Sequence, residues 1–332
     1  MSRIRIGPAV LFALCATRLG AGAQQDSPEV RALTDRADAL GTQPVGIVGD
    51  LEWFTTRYCH PTEAPGTAEA ERRLWRSMVI PPTPVFDNLN YVGHGQYGAW
   101  VIETSEGLIL IDALDSPDEG RQYIEAGMAE LGLDPADLEY LIVMHGHGDH
   151  WGAGRYLQDK YDGLRVALGA ADWTLLESTN PNGPRGAPPR RDIALEGDGE
   201  ITLGDTTIRL FSTPGHTPGG LSALITVRDG GREHVVAYWG GTGLPADPAN
   251  LALYQESLRR FRQIAADAGA DVLASNHPYL DTTNNALPLL GWREPGDPHP
   301  FVIGQDAVQR YYEILDLCVS AELIRRGRRP LA

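Results

Sequence analysis

Lysine is almost absent from these 332 residues: Lys160 stands alone among 28 basic side chains, and the rest are arginine. We read no function into that bias. Basic residues are outnumbered by 44 acidic ones, for a formal charge of −16 and a sequence pI near 4.9. So acidic a chain lacks the field that holds phosphate backbones, which argues against nonspecific binding to nucleic acid or to an anionic membrane. Beyond the N-terminal stretch, no apolar run is long enough to span a bilayer. Cysteine is scarce too, at Cys15, Cys59 and Cys318. What is present is ordinary for a soluble globular protein: 42% apolar and 22% charged residues, with ample length for a buried core.

The opening "MSRIRIGPAVLFALCATRLGAGAQQ" reads as a secretory signal. Arg3 and Arg5 form a basic start, Ile6 to Ala16 an apolar core, and Ala21-Gly22-Ala23 a small-residue cleavage site. Residues 1–23 are therefore expected to be removed, giving a periplasmic or secreted protein with no membrane association afterwards. The loss of three arginines takes the net −16 to about −19. Two cysteines then remain, Cys59 and Cys318. In an oxidising compartment such a pair forms a disulfide between the two ends of the chain, or stays as two buried thiols; the sequence leaves both open.

Residues 27–41 read as a short amphipathic helix with Ser27 as its N-cap and Gly41 as its stop, and 42–87 as irregular and proline-rich. Strand-like runs follow at 88–93, 99–104 and 108–113, forming a meander that ends near Asp112. Helices are expected at 117–132, 151–161, 170–178, 250–268 and 305–327. Strands are expected at 138–144, 164–169 and 271–276, with hairpins over 200–213 and 221–239. A Pro/Gly/Arg-rich loop at 179–192 is a candidate flap. β-rich segments and αβ units alternate in each half, which predicts an α/β fold of the αββα sandwich type. The expected organisation is a signal peptide at 1–23, an N-terminal helix and irregular extension at 24–84, and one catalytic domain at 85–332.

The densest chemistry lies in "LIVMHGHGDHWGAG", residues 141–154. A buried strand delivers His145, and Gly146 and Gly148 let the backbone turn tightly. His145 and His147 lie two apart in extended chain and share a side. Asp149 and His150 then open a helix. Clustered imidazoles desolvate one another unless they coordinate something, so this is a candidate metal site.

The pattern His145-x-His147-x-Asp149-His150 resembles the signature of the metallo-β-lactamase superfamily. "TPGHTPG" (213–219) is similar to that family's next motif and "ASNHPYLD" (274–281) to its last, and they supply His216 and His277. The resemblance covers roughly residues 85–320. It implies that His145, His147 and His216 bind one zinc and Asp149, His150 and His277 a second, although some members use iron or manganese. It further implies a metal-activated hydroxide that attacks an electrophilic carbon of a small, anionic or electrophilic substrate, with Asp149, His145 and His147 at the catalytic centre.

Asp112 is a candidate to orient an imidazole. Asn276 and Tyr279, which flank His277, are candidates to face the cleft, and His94 in "GHGQYG" to overhang it. Trp151 and Trp173 read as core. No cysteine is placed to serve as a ligand, and no bridging carboxylate follows "HVVAYW", so the set most resembles the third subclass of metallo-β-lactamases. That subclass carries a serine near the position of Gly240, and "WGGT" (239–242) departs from it. The departure spares the metal ligands but opens the substrate question. β-Lactam hydrolysis is the expected function, and a lactone, a thioester or hydrolytic dehalogenation of a haloaromatic is the alternative. A metal-binding protein without catalysis fits a complete ligand set poorly. The oligomeric state is not legible.

Overall fold

A computed structural model of the chain describes residues 26–60 and 67–331; the expected signal peptide lies outside the described residues. Seven strands form one sheet in chain order: β1 (Thr83–Phe86), β2 (Leu89–Gly93), β3 (Gly98–Thr104), β4 (Gly107–Ile111), β5 (Leu138–Ile142), β6 (Arg165–Gly169) and β7 (Ile193–Leu195). Pairing is antiparallel from β1 to β4 and parallel from β4 to β7. The second sheet runs β12-β11-β10-β9-β8 and is built from β8 (Gly199–Leu203), β9 (Thr206–Ser212), β10 (Leu221–Asp229), β11 (Arg232–Trp239) and β12 (Val272–Ser275).

The helices are α1 (Pro28–Gly41), α2 (Glu52–Cys59), α3 (Thr67–Ser77), α4 (Pro117–Glu119), α5 (Ala126–Glu130), α6 (Gly148–Trp151), α7 (Gly154–Lys160), α8 (Ala170–Glu177), α9 (Pro248–Asp267), α10 (Thr283–Leu290) and α11 (Gln305–Arg325).

The two sheets stack because their strands are apolar on facing sides. In β4, Ile109 and Ile111 point into the core shared with Leu210, Ile225 and Trp239 of the second sheet. Leu108 and Leu110 point the other way, into a cluster with Val143, Trp151 and Trp173. The strand is therefore buried on both faces, and its run reads as continuously apolar rather than alternating. α9 and α11 cover the outside of the second sheet with Leu258, Phe261, Tyr312 and Leu315. This is the αββα arrangement expected, and Trp151 and Trp173 are core residues, 2% and 1% exposed.

Three expectations need correction. The stretch 42–87 is not irregular throughout: it contains α2, α3 and β1. α2 has no side-chain cap and is too short to announce itself; it is held by tertiary contacts instead. The helix expected at 151–161 is broken between α6 and α7. There the backbone N–H groups of Gly152 and Ala153 donate to Leu114 O (2.7 Å) and Ala113 O (2.8 Å) rather than continuing a helical ladder. The helix at 117–132 passes through a π turn at Gly120–Glu125 between α4 and α5. Gly120 lies there so close to Ala153 that an added Cβ would stand 2.4 Å from its methyl.

Cys59 of α2 and Cys318 of α11 form a disulfide, 259 residues apart in sequence. It bolts the N-terminal extension to the last helix. Cross-linking so long a loop removes much denatured-state entropy, about 5 kcal/mol in the chain-entropy picture and typically about 2–4 in practice. Denaturant titrations of the oxidised protein and of Cys59→Ser/Cys318→Ser should differ by about 2–4 kcal/mol. Coincident midpoints would show that the link carries no stability.

Candidate metal centre

The centre sits where strands of both sheets run out at their C-terminal ends, the usual place for a crevice in sheets with parallel strands. β4 ends at Asp112, and β5 leads through Val143 and Met144 to His145. β9 leads to Thr213 and His216, β11 to Gly240, and β12 to Asn276 and His277. The two sheets are joined here by backbone bonds, Leu221 N–H to Met144 O at 2.8 Å and Gly98 N–H to Asn276 O at 3.0 Å.

The nitrogens of His145 Nε2 and His216 Nε2 lie 3.1 Å apart, and His147 Nδ1 lies 3.0 Å from His216 Nε2. Asp149 Oδ2 stands 3.6 Å from His150 Nε2 and 3.9 Å from His277 Nε2. Two groups of possible metal donors are compact, with all donor atoms within 4.8 Å: His145, His147 and His216, and His145, Asp149 and His150. His277 closes the second side, its ring centroid 5.0 Å from that of His150.

The far nitrogens decide what these rings can do. His145 Nδ1 lies 2.7 Å from Gly240 O, His216 Nδ1 2.5 Å from Gly243 O, His150 Nδ1 2.9 Å from Asp112 Oδ2, and His277 Nδ1 3.0 Å from Gln96 O. All four partners are acceptors, so each ring must carry its proton on Nδ1 and present a bare lone pair at Nε2. Those lone pairs face one another with no protein donor between them, and buried His150 Nε2 has no hydrogen-bond partner at all. An arrangement of converging acceptors is costly unless a cation fills it. Neutral imidazoles with one carboxylate are a donor set that suits zinc.

Proton affinities agree. Burial and the neighbouring rings push His145 far down, His216 to about 3 and His277 to about 4. Burial also lowers His147. Burial works against ionised Asp149, but the facing His150 and His277 outweigh it and bring the carboxyl down to about 2. At neutral pH His145, His147, His216 and His277 are therefore uncharged and Asp149 is ionised, the protonation state that ligands require, whereas Asp149 and Asp112 raise His150 against its burial, so that a cation would bind there in competition with a proton.

Asp112 does more than orient His150. Its Oδ1 accepts Met144 N–H at 2.8 Å, so one fully buried carboxylate holds both the end of the β5 segment and a ring. It does so from φ +59°, with Leu114 at φ +54°, a backbone region rare for side-chain-bearing residues and typical of functional turns. Asn276 is fully buried behind His145 and donates to Gly240 O at 2.6 Å, while Thr242 Oγ1–H donates to Asn276 Oδ1 at 3.1 Å. It therefore braces the carbonyl that holds His145 and does not face the cleft. Tyr279 stands beside His277, ring centroids 5.6 Å apart, and is 9% exposed. His94 does not overhang the site: it is fully buried, accepts Gln96 N–H at 3.3 Å and packs against Tyr97 and Tyr123. The hairpin loop does contribute, but through the backbone carbonyl of Gln96.

Two residues escaped the sequence. Asp172 opens α8 and is fully buried. Its carboxylate accepts Gly146 N–H (2.6 Å), Thr217 Oγ1–H (2.6 Å) and Gly219 N–H (2.7 Å), tying the His145–His150 turn to the His216 turn. Arg185, from the 179–192 loop, lies against Gly148 where a Cβ would meet it at 2.2 Å, and its Nε donates to Asp115 at 2.6 Å. Nothing local marks either residue. The other histidines are structural: His234 pairs with Asp271 at 2.7 Å, His299 donates to Val85 O at 2.8 Å, and His60 meets Asp38 at 2.9 Å. At Gly240, a Cβ would stand 2.0 Å from Leu221 O, so the local packing does not admit a serine there.

The family model of the metallo-beta-lactamase superfamily matches residues 92–268, and the chain belongs to that superfamily. Its fold is similar to that of BJP-1 of Bradyrhizobium japonicum, a subclass B3 metallo-β-lactamase: 26% identity, TM-score 0.61, covering 76% of this chain and 94% of that one. It is also similar in fold to the FEZ-1 metallo-β-lactamase of Legionella gormanii, at 22% identity and TM-score 0.65, covering 75% and 98%.

Among curated proteins, a probable metallo-hydrolase, YqgX, of Bacillus subtilis is 31% identical over 159 residues, 46% of this chain and 71% of that protein. The N-acyl homoserine lactonase AttM of Azorhizobium caulinodans is 27% identical over 169 residues, 46% of this chain and 63% of that protein. The protein is thus a metallo-β-lactamase superfamily hydrolase with candidate metal groups of histidine and aspartate. Among the described residues no helix is long and apolar enough to cross a membrane.

Two predictions follow from this geometry. Asp172→Ala strands three buried donors, so zinc affinity read by chelator competition should fall by about tenfold or more, with Asp172→Asn in between; unchanged affinity would remove Asp172 from the centre. The second concerns pH. Unfolded histidines take their proton near 6.5, but His277 does so near about 4 and His216 near about 3 in the folded chain. The unfolded state then binds more protons, so these rings make metal-free protein less stable as pH falls from about 6.5 towards 4. Asp149, lowered to about 2, adds the same sign at lower pH. His150 is raised by Asp149 and Asp112 against its burial and opposes the trend, since its contribution is lost as pH rises. Urea midpoints across pH should therefore fall on acidification, less steeply in His216→Ala; equal slopes would refute the reading.

Proposed function

We propose that this hydrolase holds two zinc ions and opens β-lactams. His145, His147 and His216 would hold one ion, and Asp149, His150 and His277 the other. The observation that carries this is the convergence of ring nitrogens on one space, with the outer nitrogens of His145, His216, His150 and His277 each engaged by an acceptor. Bound zinc supplies Lewis acidity and lowers the pKa of water towards neutrality. The chain's own groups do the rest. The Gly240, Gly243, Gln96 and Asp112 acceptors hold the rings of His145, His216, His277 and His150 in place with Nε2 turned inward. Asp149, ionised throughout the neutral range, accepts a hydrogen bond from the attacking water and orients it. Arg185, paired with Asp115, lies against Gly148 beside the turn, and a loaded centre would attract a substrate carboxylate that the acidic surface repels.

β-Lactams are favoured by the likeness to BJP-1 over nearly its whole length. A lactone or thioester is the second reading. It is favoured by Gly240, where no serine fits, and by the lactonase similarity. Export is part of the proposal: the N-terminal pattern supports it, and so does the Cys59–Cys318 disulfide, which persists in oxidising compartments.

Nitrocefin hydrolysis by the purified protein, with added zinc or with chelator, tests this. Turnover should be chelator-sensitive. His216→Ala should abolish the first-site metal, and Asp149→Asn should lower kcat about 100-fold or more while retaining some zinc. Full activity in either variant would overturn the ligand assignment. No turnover by protein holding about two zinc ions per chain would transfer the proposal to lactones, thioesters and halogenated aromatics.

A further inference from the structure

We propose that Trp53, Trp75 and Tyr279 form an aryl-binding subsite beside the metal centre, so that preferred substrates carry a flat aromatic or comparable apolar group next to the bond that is cut. The proposal rests on the hydrolase reading for where the reaction occurs, but its three residues lie outside the ligand set and outside the family-matched segment 92–268.

The rings form a continuous ladder. His277 and Tyr279 stand 5.6 Å apart by centroid, Tyr279 and Trp75 stack at 5.8 Å, and Trp75 meets Trp53 edge-on at 5.9 Å. One end is therefore a residue of the metal centre. The other end is open, because Trp53 is 44% exposed. Exposed large apolar residues are not scattered over the molecule: Trp53, Leu74, Met78 and Val79 account for four of seven among the described residues, and all lie in α2, α3 and the turn that follows. Such concentration marks a binding surface rather than chance exposure.

The ladder is also held still. The Trp53 indole N–H donates to Tyr279 O at 3.0 Å, and Arg57 engages the Tyr279 hydroxyl. Tyr58 O–H donates to Thr242 O, in the segment whose side chain braces Asn276. The next residue, Cys59, is bonded to α11. A rigid aromatic wall presented at this distance from the reacting centre binds an aryl group with little ordering cost. A bilayer is the less suited occupant, since the chain is strongly acidic and the ladder runs inward to His277 rather than lying along the surface.

Calorimetric titration of the zinc-loaded protein with N-phenylacetylglycine and N-acetylglycine tests the subsite by binding alone. The aryl ligand should bind about tenfold more tightly. Trp53→Ala and Trp75→Ala should each reduce that ratio to about twofold, whereas Trp53→Phe should keep most of it, with zinc content unchanged in all three. Absence of an aryl preference in the natural protein, or its survival in both alanine variants, overturns the proposal. So does a dimer or binding to phosphatidylcholine vesicles that Trp53→Ala abolishes without any aryl preference. Kinetics separate the two readings. Equal kcat/KM for penicillins with and without a phenylacetyl side chain leaves the hydrolase standing and removes the subsite. A Trp53-dependent binding preference in a protein that hydrolyses no β-lactam keeps the subsite and removes the β-lactam reading.

Discussion

Everything at this centre depends on hydrogen bonds made on its outer side. A histidine has two nitrogens and, when neutral, one proton. Giving Nδ1 a fixed acceptor commits Nε2 to be a lone pair. Four rings are committed in this way by Gly240 O, Gly243 O, Asp112 and Gln96 O. Those acceptors belong to chain beyond β11, to the end of β4 and to the loop before β3. The metal site is therefore assembled only when both sheets are in register, and the two sheets meet beside it at the bonds from Leu221 to Met144 and from Gly98 to Asn276.

The strain in the backbone has the same origin. Asp112 must receive Met144 N–H on one oxygen and His150 on the other, while its own N–H reaches Ile142 O at 3.0 Å. The chain meets all three demands only by turning through φ +59° at Asp112 and +54° at Leu114. The same turn places Ala113 O and Leu114 O under Gly152 and Ala153, which is why the helix after His150 is interrupted. Local preference for a continuous helix yields to the need to hold a ligand-bearing turn.

Legibility in the sequence followed the range of the interactions. His145, His147, Asp149 and His150 are local, so spacing alone exposed them, and Asp112 was readable as the polar end of an apolar strand. Asp172 was not. It sits in "AADWTLLES", where a helix-opening aspartate is unremarkable, and its partners Gly146 and Gly219 are far away in sequence. His94 misled for the converse reason: a histidine in a glycine-rich loop beside the site looks like a substrate contact, yet the ring is turned into the core against Tyr123 and only the carbonyl of Gln96 faces the ligands. α2 left no clear pattern because it is held by the Trp53–Tyr279 contact and the disulfide rather than by its own periodicity; α3 is amphipathic, but it is short, lies in a proline-rich stretch and is tied down by the Arg76 pairs with Asp115 and Glu119.

That division bears on how one centre serves different substrates. The ligands and their acceptors fill the space around the rings so closely that change there is costly; at Gly240 even a Cβ would collide with Leu221 O. Substrate preference is more cheaply set from outside, by elements that approach the centre without ligating it. The N-terminal extension meets that condition. It touches Tyr279 and Thr242, each a step away from a ligand or its support, and it is anchored at its far side by the bond from Cys59 to Cys318. Such an element can alter which groups are held at the mouth while leaving the donor geometry intact. The disulfide supplies the stiffness that a short, uncapped helix lacks by itself.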